Sequence, residues 1–322
     1  MKNILVCGST GFIGRNIAEY LSRQSDCAVY GVYLNTEPYP HEGIRFVRAD
    51  LTRREDVNRV IKGMDVVIQA AASTSGSKDI INRPYHHVTD NAVMNSLLLR
   101  FAYENNIQHF VFFSCSVMYQ PSETPHKEID FNAADTMFPN YFGVGWTKVY
   151  IEKMCEFYSR ISDTKFSVIR HSNIYGPYDK YDPEKSHVFG ATVAKIMTAP
   201  DNGEITVWGE GKEKRDLLHV DDLTVAVDMC IMNQRGKYEL INIGSGKAVA
   251  VSDLVKKIVS ASGKKLKIVY DLSKPTIPTT LSLDCEKAKT ILGWTPKISI
   301  EAGIKMTLDW YKKSIHRKEG AF

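Results

Sequence analysis

Three glycines, in Gly8-Ser-Thr-Gly11-Phe-Ile-Gly14, follow directly on the apolar run from Asn3 to Cys7 and lead into the helical pattern Ile17, Ala18 and Leu21. A strand, a glycine turn and a helix in immediate succession constrain the fold more than any other stretch of the chain. Gly8 permits the tight turn, Gly11 lets backbone approach a pyrophosphate, and Gly14 allows close packing of helix on strand. The helix N-terminus then faces the anion. Three glycines alone also suit a purely structural turn. Their place directly after the first strand favours dinucleotide binding by Gly8, Thr10, Gly11, Phe12, Ile13 and Gly14.

Strand and helix alternate over the first half. Ala28 to Leu34, Ile44 to Val47, Asp65 to Gln69 and His109 to Phe113 read as strands, and Phe166 to Arg170 as a sixth. Between them, Val93, Leu97, Leu98 and Phe101 recur at helical spacing, and a second helix starts near Tyr141. The pattern predicts an α/β fold, a Rossmann-type doubly wound parallel sheet over residues 1–170, with the ligand crevice at the carboxyl ends of the strands. After Tyr178 the alternation loosens. Residues 171–322 read as a smaller, mainly substrate-binding lobe with some elements returning to the main sheet, and with helices at His187 to Met197, Val251 to Ser260, Cys285 to Leu292 and Ile300 to Tyr311.

The second strand should end at the adenosine ribose, where an acid selects NAD and a nearby arginine accommodates the extra phosphate of NADP. Tyr33, Leu34 and Asn35 occupy that place. The missing carboxylate removes a repulsion against phosphate and favours NADP over NAD; Arg45 and Arg48 read as solvated strand-edge charges. Asp50 and Leu51 fall at a plausible adenine contact, with a helix cap as the alternative for Asp50. Ala70, Ala71 and Ala72 leave room for the cofactor.

Composition narrows the partners. The 322 residues are 43% hydrophobic and 24% charged, with a net charge of +4 and interspersed signs. That balance implies neither nucleic acid nor a membrane surface, and no stretch approaches the roughly 18 apolar residues of a membrane span. Cysteines 7, 27, 115, 155, 230 and 285 lie far apart with no C-x-x-C pair, so they read as reduced thiols of a cytoplasmic protein without a metal site.

In this order the pieces resemble the extended short-chain dehydrogenase/reductases that act on nucleotide sugars, and within them the GDP-L-fucose synthase branch. The resemblance runs over essentially the whole chain. It rests on the glycine motif, Asn91, Ser114-Cys-Ser-Val-Met-Tyr119, Lys148, Asn173-Ile-Tyr-Gly-Pro177, Arg215 with Val220-Asp-Asp222, and Leu292-Gly-Trp294. The run Gly176 to Val188 and the spacing from Trp208 to Arg215 are the features of the synthase branch. The likeness implies a nicotinamide cofactor, a nucleotide-sugar substrate and a homodimer.

The resemblance also assigns roles. In the family a Ser or Thr, a Tyr and a Lys four residues later form the catalytic group, and the lysine holds the nicotinamide ribose while lowering the tyrosine pKa. Lys148 and His187 match their positions. The serine position is Cys115, flanked by Ser114 and Ser116; the branch's second catalytic cysteine falls at Val117, and the tyrosine at Val144. The missing cysteine argues against two-centre epimerisation and leaves reduction, oxidation or single-centre epimerisation.

Tyr141, one turn before Val144 on a continuing helix, could supply the hydroxyl if Gly143 and Gly145 let the backbone shift, or could simply pack against a loop. His187 suits direct proton transfer, and Cys115 could donate a hydrogen bond unless it is an inert buried thiol. By the same likeness Asn173, Lys195, Trp208 and Arg215 anchor the substrate, Arg215 through its planar fork. Lys195 also reads as a solvated helix charge and Trp208 as plain packing. The leading expectation is an oxidoreductase or epimerase working at C4 of a nucleotide-linked deoxysugar, GDP-linked in preference. The alternatives are an isomerase that recycles a retained cofactor and a catalytically silent cofactor-binding protein.

Overall fold

The computed structural model describes residues 1–73, 84–183, 186–274, 276 and 279–319. In chain order the strands are β1 (Lys2–Cys7), β2 (Cys27–Tyr33), β3 (Ile44–Arg48), β4 (Val66–Gln69), β5 (His109–Cys115), β6 (Lys165–His171) and β7 (Asn173–Tyr175), then β8 (Glu204–Trp208), β9 (Lys214–His219), β10 (Tyr238–Ile243), β11 (Ala248–Ala250), β12 (Lys267–Asp271) and β13 (Thr280–Leu281). The helices are α1 (Phe12–Leu21), α2 (Arg54–Ile61), α3 (Thr89–Glu104), α4 (Phe142–Ile161) and α5 (Val188–Thr198), followed by α6 (Val220–Asn233), α7 (Val251–Ser262), α8 (Glu286–Leu292) and α9 (Ile300–Glu319).

Among the described residues, seven strands form one parallel sheet in the order β3-β2-β1-β4-β5-β6-β10. The order reverses between β1 and β4, so the crevice that opens there lies at the carboxyl ends of those two strands. Strands buried on both faces read as continuous apolar runs. Thus β1 contributes Ile4 and Val6 to the core under α1 and α6, and Leu5 and Cys7 to the core under α2, α3 and α4. β10 is the late strand that returns to the sheet edge, beside β6.

A third core, with Phe189, Val193, Leu217, Leu254 and Ile304 among its members, joins α5, α7 and α9 to the small sheets of the later half. Two of the sequence motifs meet at the first core, for structural reasons. Gly293 takes a left-handed φ of 75° to end α8, and Trp294 is buried with its indole N–H 3.0 Å from the Asp222 carbonyl oxygen. The Asp222 carboxylate accepts from the backbone of Lys297 and Ile298.

One contact ties the first helix to the loop ahead of α5. The Arg15 guanidinium lies 3.7 Å from the ring centroids of both Tyr39 and Tyr178, and its Nε donates to Glu19 at 2.8 Å. Beside it Asn16 Nδ2 donates to the Pro177 carbonyl at 2.9 Å. Tyr178 reaches α9 in turn, edge-on to Trp310.

Candidate active site

The glycine turn has the shape the spacing predicts. Gly8 has a φ of +72°, and a Cβ there would fall 2.7 Å from the Ala71 Cα. A Cβ on Gly14 would stand 2.2 Å from the Gly8 carbonyl oxygen, so this turn closes only with glycine at both places. Thr10 is half-buried, and Phe12 and Ile13 pack their side chains on the core, leaving their backbone as the part that can meet a ligand. α1 starts from Gly11 without a side-chain cap. Its first amides therefore need an outside acceptor, and a pyrophosphate fits.

The walls around this turn are set by hydrogen bonds. Asn91 on α3 holds the chain after β4: its Oδ1 accepts from the Ser73 amide at 3.0 Å and its Nδ2 donates to the Ser73 and His87 carbonyls. Ala70 and Ala71 lie beside Gly8, and Ala72 follows them exposed. At the adenosine end, Asp50 is committed to a local turn, with Oδ1 accepting from Thr52 N at 3.0 Å and Thr52 Oγ1 at 2.6 Å. It does not cap α2, whose N-cap is Arg53. Leu51 is buried in the core, so only its backbone is left for adenine. Arg48 is an exposed charge at the end of β3, as expected, and its Nε also donates to the Leu34 carbonyl at 3.2 Å, which carries the guanidinium to the end of β2.

At the ends of β5 and β6 the predicted catalytic residues converge. Lys148 reaches across from α4, and its Nζ donates to the Phe113 carbonyl at 2.6 Å. That engages one of the three ammonium protons. Burial pushes its pKa down, and Cys115 and Glu152 oppose this. Cys115 closes β5 half-buried, its pKa raised by burial and opposed by Lys148, so it stands as a neutral thiol at neutral pH. Ser116 is buried next to it.

Tyr141 arrives by a different route from the one expected. The helix does not continue back to it; Pro139–Tyr141 form a 3-10 turn and α4 begins at Phe142. Nor do the glycines loosen the backbone. Gly145 makes room for the Met137 sulfur, where a Cβ would come within 2.1 Å, and Gly143 makes room for Val88. The Tyr141 ring nevertheless lies where Arg215 and Cys115 act on it electrostatically. Burial raises its pKa and Arg215 lowers it, which leaves a protonated phenol able to donate.

His187 is the N-cap of α5, and its side chain remains exposed. The surrounding protein and Lys180 push its pKa down. Arg215 Nη1 donates to the carbonyls of Lys214 and Thr279, which fixes the guanidinium at the start of β9. Asn173 is held by its Nδ2 to the Asp216 carbonyl at 3.2 Å. Lys195 and Trp208 form a pair of their own, the ammonium 5.4 Å from the ring centroid, with Nζ 3.4 Å from the Thr206 carbonyl oxygen.

Sequence reasoning passed over two parts of this region. His171 ends β6 in register with Cys115. Beneath it, Glu152 accepts from Arg170 through both carboxylate oxygens, at 2.9 and 2.6 Å, and from Ser114 Oγ at 2.6 Å. An arginine closing an apolar strand, Phe166-Ser-Val-Ile-Arg170, was the signal for the second, since such a charge needs a buried partner.

The chain is similar to known proteins over nearly its whole length. Residues 4–244 match the model of the NAD dependent epimerase/dehydratase family. GDP-L-fucose synthase 1 of Arabidopsis thaliana is 30% identical, over 97% of this chain and 94% of its own. GDP-L-colitose synthase of Yersinia pseudotuberculosis is 28% identical, over 96% and 97%. The crystal structure of UDP-glucose 4-epimerase from Thermotoga maritima with UDP-glucose superimposes with a TM-score of 0.85, at 25% identity, over 97% of this chain and 99% of that one. With its glycine turn, its lysine at the carboxyl end of β5 and this extent of match, the chain belongs to the NAD dependent epimerase/dehydratase family.

Proposed function

We propose that this protein transforms the C4 centre of a nucleotide-linked deoxysugar, GDP-linked in preference, with a nicotinamide dinucleotide as cofactor. The observation that carries this reading is Lys148 anchored at the carboxyl end of β5, with Cys115 beside it and Tyr141 between Cys115 and Arg215, in a sheet that also carries the glycine turn. When bound, the nicotinamide accepts or returns the hydride of the carbinol carbon. Gly8, Gly11 and Gly14 bring backbone to the pyrophosphate, and Lys148 offers its remaining protons to the ribose. Arg215 and Lys195 supply positive charge for the substrate diphosphate, with Asn173 and Trp208 lining its path. Tyr141 and His187 are hydrogen-bonding partners for the sugar, in a site that lacks the phenol at Val144.

Several finer assignments belong to the same reading. Arg48 at the end of β2, with no acid there, supports NADP over NAD. Residues 1–170 hold the dinucleotide and 171–322 mainly the sugar nucleotide. Val93 and Tyr103 on α3, with Tyr150, Phe157 and Ile161 on α4, expose apolar surface that a two-fold copy would cover. All six cysteines are free thiols, in keeping with the cytoplasm.

The test is calorimetric titration with NADP, NAD and GDP, followed by turnover of a GDP-linked 4-keto deoxysugar with reduced cofactor. We expect binding of dinucleotide and of GDP, tighter for NADP than NAD, and oxidation of the cofactor on adding the sugar. Binding of both without turnover of 4-keto or 4-hydroxy sugars would identify a catalytically silent protein instead.

A further inference from the structure

β6 ends in a histidine whose surroundings give it chemistry. In-register partners on parallel strands point to the same face of a sheet, so His171 and Cys115 stand side by side at the rim. The His171 ring is edge-on to Phe113, their centroids 6.2 Å apart, and the Phe113 carbonyl is the one that holds Lys148. Nδ1 lies 2.7 Å from the Ser172 carbonyl oxygen. A carbonyl only accepts, so Nδ1 carries the proton, and the neutral ring presents a lone pair at Nε2. The residue is half-buried.

We infer that His171 Nε2 takes the proton of the sugar hydroxyl when the carbinol carbon is oxidised, the task for which Val144 offers no phenol. The inference rests on the nucleotide-sugar reading above. In this step the O–H bond breaks and its proton goes to Nε2. The C–H pair leaves for the oxidised nicotinamide dinucleotide, and the alcohol becomes a ketone. In the reverse step the imidazolium returns the proton to the carbonyl oxygen as it is reduced.

The charged and titratable neighbours of the ring are Lys148 on α4, His187 ahead of α5 and Cys115 on β5. Burial, Lys148 and His187 push its pKa down to about 4, and only the Ser172 carbonyl works the other way. At neutral pH the ring is therefore a free acceptor, and once protonated it readily gives its proton back, as a reversible step requires.

The experiment compares wild type with His171→Asn, whose amide can keep the bond to Ser172 but has no base at Nε2, and with His171→Gln. A GDP-linked 4-hydroxy deoxyhexose is oxidised at saturating NADP, followed by nicotinamide absorbance, while calorimetry gives the Kd of GDP and of NADP. We expect both variants to lower kcat by ~10²-fold or more with each Kd within about twofold of wild type. A variant that folds and turns over within about threefold of wild type overturns the His171 assignment alone. Loss of kcat only in parallel with weakened binding also overturns it, in favour of a structural role. A wild type that binds both ligands and oxidises no sugar overturns this assignment and the reading beneath it together.

Discussion

Glu152 and Arg170 meet through two parallel hydrogen bonds, Arg170 Nε to Oε1 at 2.9 Å and Nη2 to Oε2 at 2.6 Å, with both side chains almost wholly buried. Glu152 lies one helical turn beyond Lys148, and Arg170 immediately precedes His171. Around the pair, Ser114 donates to Glu152 and Arg170 Nη1 donates to Tyr119 OH at 2.9 Å, which donates onward to Asn242 Oδ1. The network joins α4, β6, β10 and the end of β5, the elements that carry the catalytic rim.

Removing one member of such a pair strands a buried charge. Arg170→Met should cost about 3–5 kcal/mol of unfolding free energy, read from urea denaturation. Adding Glu152→Leu should recover a large part of that loss, because the carboxylate left without its partner is then gone as well. Equal instability of single and double variants would assign the cost to packing instead.

Gly14→Ala places a methyl where the Gly8 carbonyl oxygen already stands. We expect a loss of about 1–3 kcal/mol in stability from overpacking. The dinucleotide Kd should rise at least tenfold (about 1.4 kcal/mol), since α1 must retreat from the pyrophosphate. GDP binding, assigned to the later half of the chain in the proposed function, should be unchanged in the same titration series.

Tyr141→Phe tests the phenol that lies near Cys115 and Arg215. Loss of a hydrogen-bond donor to the developing alkoxide predicts a fall in kcat of ~10²-fold in the reduction of a 4-keto sugar, with cofactor affinity preserved. Val144→Tyr returns a hydroxyl to the position four residues before Lys148. Its kcat should exceed wild type, and in the Tyr141→Phe background it should restore the rate.

Stability should depend on pH through His109. It is buried in β5, with Nε2 2.7 Å from Ser167 Oγ, and Ser167 in turn donates to Gln234. Burial, with the positive charge of Lys165 and Lys2, lowers its pKa from 6.5 to about 4. The folded state thus binds this proton less readily than the unfolded state. Its contribution to stability is complete above pH 6.5 and is lost as pH falls toward 4, at up to ~1.4 kcal/mol per pH unit. Urea midpoints measured from pH 4 to 7 should show this slope, and His109→Gln should reduce it.

Much of this architecture could be read from the chain. Period and glycine placement located β1 to β6, α4 and the turn at Gly8, because each depends on neighbours within a few residues. The returning edge strand and the loop leading to His187 followed from the motif order. What escaped depends on partners distant in sequence. His171 looked like the first polar residue after a strand, and only the register of β6 on β5 brings it beside Cys115. Tyr141 pointed the right way for the wrong reason: a 3-10 turn orients it, and the glycines that seemed to loosen the helix are there to admit Met137 and Val88.

The Arg15 guanidinium, stacked between Tyr39 and Tyr178, has a consequence for engineering. Tyr39 belongs to the loop between β2 and β3 and Tyr178 to the loop between β7 and α5, so one cation serves as a rivet through both. A cofactor-side loop exchanged between relatives would carry half of this joint into a molecule lacking the other half. Chimeras that move the two loops together, with residue 15 matched to them, should keep their thermal midpoint, whereas single-loop chimeras should not.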